Sequence, residues 1–293
     1  MNLRPVIQTE EIGRKVFDAC LSMNVELPPD VERALLEAGK GETGPGREVL
    51  HAIQTNLAMA RTRRLPMCQD CGMVVVFVEL GHELVLEGPP LPKVIDQAVA
   101  DAYRDGYFRK SVVADPLFHR TNTHTNLPVV LHTQMIEGSE LTVRIMTKGF
   151  GSENYSRLVM MRPTQSVHDV EEAVLQAVRD AGGNPCPPII VGLGLGGTSD
   201  MAMVLAKKAL FRRLDEHHPD PEYRELEERL RGRINELGLG PGGLGGGTTA
   251  LGVKIETFGT HIAGLPLGIC ICCWADRRQS FTLQGTLPQD TGG

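Results

Sequence analysis

Aromatic side chains are scarce in this 293-residue chain, at 4% with a single Trp, so its core must be built from Val, Leu, Ile, Ala and Met. No stretch approaches the ~20 consecutive apolar residues that cross a bilayer as a helix. The N-terminal MNLRPVIQTEE shows no apolar signal core, and a cytoplasmic protein is expected. Basic residues are not in excess. The net charge of −6 argues against a nucleic-acid binder. An anionic small-molecule substrate stays open, because a site can be locally positive on an acidic protein. An even set of cysteines is also missing. Seven Cys make a poor disulfide framework here, and metal binding or catalysis is the better expectation.

Glycine and proline are plentiful, at 33 and 19, beside 41% hydrophobic and 23% charged residues. This composition suits a turn-rich globular protein large enough to bury a core. Periodicity predicts helices first. One follows Thr9 as N-cap, with Ile12, Val16 and Cys20 on one face. Others cover Val31–Ala38 and the stripe Leu50, Ile53, Leu57, Ala60, giving a helical N-terminal part to about residue 65. Runs of β-branched residues predict strands at Val74–Leu80, Val129–Ile136, Leu141–Met146, Ile189–Val191, Val253–Thr257 and Leu267–Cys272. Further helices are expected over Pro92–Tyr103, from Ser166, over Asp200–Leu214 and over Glu222–Leu237. The last reads as a solvated face with Glu225→Arg229 and Glu227→Arg231 at i,i+4 spacing. Glycine loops are expected at Gly39–Gly46 and Gly238–Gly247. The elements alternate irregularly, with no clean βαβ series. The expected fold is α+β: one mixed α/β catalytic domain over 1–293, with a helical N-terminal region and mixed β-sheets.

Several cysteines stand in settings that suit a site. Cys68 and Cys71 flank Gln69-Asp70 just before a strand. Cys186 lies between Pro185 and Pro187-Pro188, and Cys270, Cys272 and Cys273 crowd the end of the last strand. They are too far apart for a local zinc knuckle or ferredoxin run, so only the fold could bring them to one metal. Buried, inert thiols are the plainer alternative. Cys68-x-x-Cys71 has redox spacing, but a strand rather than a helix follows it. Gly192, Gly194 and Gly197 fit G-x-G-x-x-G between a strand and a helix, which would mean a nicotinamide-binding oxidoreductase. A loop packed close to a site or partner is the blander reading. The loops Lys148–Asn154 and Gly238–Thr249 could hold carboxylates on exposed amides, or be ordinary turns. Asp70 could be an acid/base or a cap, and His261 catalytic or merely half-buried.

Taken together, six stretches resemble the alpha subunit of the two-subunit class I fumarate hydratase and L-tartrate dehydratase family. They are MCQDCG at Met67–Gly72, Arg109–His132, KGFGSEN at Lys148–Asn154, CPPIIVGLGLGGT at Cys186–Thr198, Gly243–Glu256, and HIAGLPLGICICCWADR at His261–Arg277. The resemblance implies a 4Fe-4S cluster with one iron not ligated by Cys, held by Cys68, Cys186 and Cys273. Cys273 is preferred to Cys270 and Cys272 by its position after His-Ile-Ala-x-Leu-Pro. It implies Asp70 as acid/base and His261 at the far carboxylate. Gln69, Arg109, Gly149 and Gly151 would contact a small dicarboxylic or hydroxy-dicarboxylic acid. It also implies a separate beta subunit completing the site in a hetero-oligomer. The reaction it suggests first is reversible trans hydration of fumarate to malate, a step of the tricarboxylic acid cycle. Dehydration of L-tartrate to oxaloacetate comes second, and a non-catalytic scaffold is an alternative of another class. The chain departs from the family pattern at three positions. Cys71 replaces a Thr, which could put a fourth thiol near iron. His124 replaces a Gly in N-T-G-x-N, and Trp274 replaces a His.

Overall fold

The structure, a computed structural model, describes residues 4–287. Met1–Leu3, where the reading of the N-terminus begins, lie outside them. Along the chain come β1 (Val6–Gln8), α1 (Thr9–Met23), α2 (Pro29–Gly41), α3 (Gly44–Arg63), β2 (Met73–Gly81), β3 (Val85–Glu87) and α4 (Leu91–Asp105). Then follow β4 (Val130–Ile136), β5 (Glu140–Lys148), α5 (Phe150–Glu153), β6 (Arg157–Met161), α6 (Val167–Ala181) and β7 (Ile189–Gly197). The last are α7 (Ser199–Ala209), α8 (Pro221–Glu236), β8 (Ala250–Thr260), β9 (Leu265–Cys272) and β10 (Arg277–Gln284). This is the mixed α and β architecture that the irregular alternation implies. No described helix is long and apolar enough to cross a membrane.

The chain forms two compact units. Among the described residues, the first comprises 4–26, Ala60–Lys148 and 277–287. Its main sheet has the order β10-β5-β2-β4, with β2 antiparallel to β5 and parallel to β4. Strand alternation sends Val74, Val76 and Val78 of β2 into a core with Ile12, Val16 and Cys20 of α1 and Ile95, Val99 and Ala102 of α4. Val75 and Phe77 are also buried, with Phe77 stacked on His132 at 4.7 Å. Burial on both faces is why Val74–Val78 of β2 read as a continuous apolar run.

The second unit is Leu27–Met59 and Gly149–Asp276, with the sheet β6-β9-β7-β8. One face of β7 buries Val191, Leu193 and Leu195 in a core with α6 and α8. The other face carries Gly192 and Gly194. A Cβ on Gly194 would stand 2.0 Å from the Ala202 carbonyl, and one on Gly192 2.2 Å from that of Ala206. Helix α7 therefore lies directly on the strand backbone. α6 begins with a capping box, in which Ser166 and Asp169 satisfy each other's backbone N–H.

Several local expectations change. Gly192 and Gly194 lie inside β7 rather than in a loop, so packing against α7 explains them and the nicotinamide reading loses its phosphate cradle. The Gly39–Gly46 stretch is largely helical, since α2 reaches Gly41 and α3 starts at Gly44. Thr9 is inside α1, with Gln8 as N-cap, and its hydroxyl donates to the Pro89 carbonyl. α7 stops at Ala209 instead of Leu214, whose backbone N–H donates to the Asp30 carboxylate. Glu227 leaves the solvated face of α8. It is buried, 2.6 Å from Arg212, and accepts the Ile255 N–H, so Arg231 is not its partner.

Candidate active site

In the first unit the centre of interest is the turn that feeds β2. Cys68 is half-buried, Gln69 exposed and Asp70 half-buried, while Cys71 and Gly72 are buried. Asp70 Oδ1 accepts the Gly72 N–H at 2.9 Å, which curls the turn over its own carboxylate. Gly72 has φ +75, and a Cβ there would stand 2.9 Å from the Lys148 backbone, so glycine is required.

Buried side chains hold this turn from beneath. Tyr103 on α4 donates its hydroxyl to the Cys71 carbonyl at 2.6 Å. Asn126 donates to the Gly72 carbonyl at 3.1 Å. The guanidinium of Arg277, 1% exposed, donates to the Asp70 carbonyl at 2.7 Å and to Asn24 at 3.3 Å. Burial pushes the Tyr103 phenol well above its ordinary range, so it stays a neutral donor. Burial also raises the Cys71 thiol, against the lowering effects of the Arg109 N–H and the Arg277 charge. Arg109 itself is exposed, and its backbone N–H donates to Cys71 Sγ at 3.3 Å. Cys71 is thus a buried, hydrogen-bonded thiol rather than an accessible fourth ligand. His124 has φ +59, which gives a physical reason for the glycine that the family pattern has there.

In the second unit Cys186 is exposed at the tip of a loop, with φ +53 and its N–H on the Gly183 carbonyl at 3.1 Å. A left-handed cysteine is uncommon, and such strain gathers at functional sites. The glycine-rich segment Gly240–Thr248 packs behind this loop, with Gly242 N–H on the Pro187 carbonyl. Its amides do hold a carboxylate, but the protein's own: buried Glu42 accepts from Gly247 and Thr248. Gly149 and Gly151 flank the start of the one-turn α5, where Gly149 is half-buried and Gly151 exposed. His261 is exposed in the β8–β9 turn. Its Nδ1 accepts the Ala263 N–H at 3.1 Å, which leaves Nε2 to carry the proton of the neutral ring. Cys270 and Cys272 are buried in β9, against Ser156 and Asp276. Cys273, one residue past the strand, is half-buried, as is Trp274.

The seven thiols therefore divide. Cys68, Cys186 and Cys273 have solvent-accessible surface, whereas Cys20, Cys71, Cys270 and Cys272 are buried. Cys68 belongs to the first unit, and Cys186 and Cys273 to the second. Among the described residues, no three His, Cys, Asp or Glu side chains are grouped to hold a single metal ion. A groove of about 620 Å³ beside α1 and α4, lined by Glu10, Arg14, Phe17 and Lys93 among others, contains none of the candidate residues. Sequence reasoning missed the supports Tyr103, Arg277, Asn24 and Asn126. Asn126 and Arg277 lie inside motif stretches, but nothing in their spacing marks them as buried.

Comparison with known proteins adds to this geometry. Residues 14–282 match the family profile described as Fumarate hydratase (Fumerase). The chain is 42% identical over 263 residues to a Methanocaldococcus jannaschii protein provisionally named L(+)-tartrate dehydratase subunit alpha, covering 87% of this chain and 91% of that one. It is 30% identical over 274 residues to the L(+)-tartrate dehydratase subunit alpha of Escherichia coli K12, covering 92% and 89%. The chain belongs to the class I fumarate hydratase family of hydro-lyases. Within that family it is an alpha subunit of the L-tartrate dehydratase-like kind.

Proposed function

We propose that this chain is the catalytic subunit of an iron–sulfur hydro-lyase that dehydrates L(+)-tartrate to oxaloacetate together with a separate beta subunit. The observation that carries the reading is the division of the thiols. The three that reach solvent are the three the family resemblance selects as cluster ligands, and the four it does not select are buried. This donor set fits a 4Fe-4S cluster, which is held by thiolates and does not need three ligands around one ion. When bound, a cluster with one iron not ligated by Cys supplies a Lewis acid for the substrate's carboxylate and hydroxyl. The names of the relatives favour tartrate over fumarate.

The remaining chemistry falls to the chain's own groups. Asp70, steadied by the Gly72 N–H, takes the proton from the substrate carbon and returns it in the reverse direction. Arg109 clamps a carboxylate with its planar fork. Gln69 and the backbone at Gly149 and Gly151 orient the substrate. His261 donates from Nε2 to the far carboxylate.

The test is to co-purify the chain with its beta subunit without oxygen and compare substrates. The expected result is a kcat/KM for L(+)-tartrate at least about tenfold above that for fumarate, a difference of about 1.4 kcal/mol. Fumarate hydration is the second reading, favoured by the family's description, and the opposite ranking would establish it. A folded complex that stays colourless and cannot be reconstituted with iron and sulfide would remove the cluster from the account.

A further inference from the structure

Between α4 and β4 the chain has little regular structure, yet Arg109 lies there. Two side chains tie this stretch to the turn that bears Gln69 and Asp70. Cys71 Sγ accepts the Arg109 N–H at 3.3 Å. Asn126, 0% exposed, accepts the Ser111 N–H at 2.8 Å and donates to the Gly72 carbonyl at 3.1 Å. The two ties fall on either side of Lys110, so together they fix the peptide from which the Arg109 side chain departs. Asn126 holds φ +64, a left-handed conformation that Asn tolerates better than most residues. Tyr103 anchors the same turn from α4, so the ties run to a fixed point of the core.

We infer that Cys71 and Asn126 are positioning residues that set Arg109 in register with the Gln69-Asp70 turn. A substrate carboxylate held by Arg109 is thereby kept at a fixed distance from the group that moves the proton. Small errors in such a distance are costly to a reaction. The inference rests on the roles proposed above for Arg109 and Asp70.

The test is a double-mutant cycle on the assembled, iron-loaded enzyme, reading kcat and KM separately. Cys71→Val removes the acceptor at nearly constant volume, and Cys71→Thr restores one. The Val variant is expected to raise KM by about three- to tenfold, the size of one net hydrogen bond, with kcat changed less, and the Thr variant to recover most of that loss. Asn126→Gly keeps the backbone conformation and is expected to act in the same direction. In an Arg109→Ala background both effects should shrink to about twofold or less, because the group being positioned is gone. Additive effects, or Val and Thr variants that behave alike, would overturn the inference while leaving the site reading intact. If Arg109→Ala itself leaves KM unchanged, the reading of Arg109 fails and the inference with it. Should Asn126→Gly fail to fold, the Cys71 pair decides alone.

Discussion

At the scale of single residues, environment divides seven chemically identical thiols into a buried set and a solvent-accessible set. Cys20 shows the buried extreme. It is 0% exposed in the core of the first unit, and burial pushes its thiol up to about 12 from an ordinary 9.0. Below pH 9 the thiol is protonated whether the chain is folded or not, so its contribution is fully present there. As pH rises from about 9 toward 12, the unfolded chain gives up the proton first. Native stability then falls by up to about 1.4 kcal/mol per pH unit from this group. Urea unfolding of wild type and Cys20→Ala between pH 8 and 10.5 checks this, with the variant expected to lose stability less steeply. Equal slopes would show that the thiol ionises freely in the fold. The burial of Cys20 was legible in the sequence, where it shares a helical face with Ile12 and Val16, whereas the partial exposure of Cys68 was not. The resemblance selected Cys68, Cys186 and Cys273 by motif position. Burial sorts the seven thiols in a way that spacing alone does not report.

At the scale of elements, the glycines carry the clearest lesson. Gly192, Gly194 and Gly197 have the spacing of a dinucleotide-binding turn, and the motif does run from a strand toward a helix. The missing information was how long the strand is. β7 extends to Gly197, and alternation puts Gly192 and Gly194 on the face that α7 occupies. Their small size serves helix packing, a contact between chain segments that a local pattern does not report. Gly194→Ala is accordingly expected to cost about 1–3 kcal/mol by overpacking, as α7 must move off the sheet. Denaturant unfolding measures it, and a variant as stable as wild type would show that α7 has room to spare. The amphipathic helices and the buried run of β2 were legible because their periodicity is internal. Strands β1, β3, β6 and β10 were not, because three are short and β10 is mostly polar, with its place set by pairing to β5. The Gly238–Thr249 loop also shows how a correct physical idea can meet an unexpected object. Its amides do cradle a carboxylate, that of Glu42.

At the scale of the whole molecule, each unit is assembled from separated stretches of chain, and the candidate residues are shared between them. The first unit carries Cys68, Gln69, Asp70 and Arg109, and the second carries Gly149, Gly151, Cys186, His261 and Cys273. Motif order along the chain therefore says little about which residues act together, and only the family resemblance linked them beforehand. The three thiols proposed as ligands can be tested one at a time. Cys68→Ser, Cys186→Ser and Cys273→Ser should each lower anaerobic iron content well below about four per chain, while far-UV circular dichroism and unfolding midpoint stay near wild type. These residues are at least partly solvent-accessible, so removing a sulfur from them opens no fully buried cavity. Cys270→Ser and Cys272→Ser invert the pattern: iron is retained, and stability falls because a hydroxyl replaces a thiol inside β9. Full iron retention in any one of the three variants would remove that cysteine from the cluster. The ligand set proposed here would then be wrong, even with the family and the hydro-lyase chemistry unchanged.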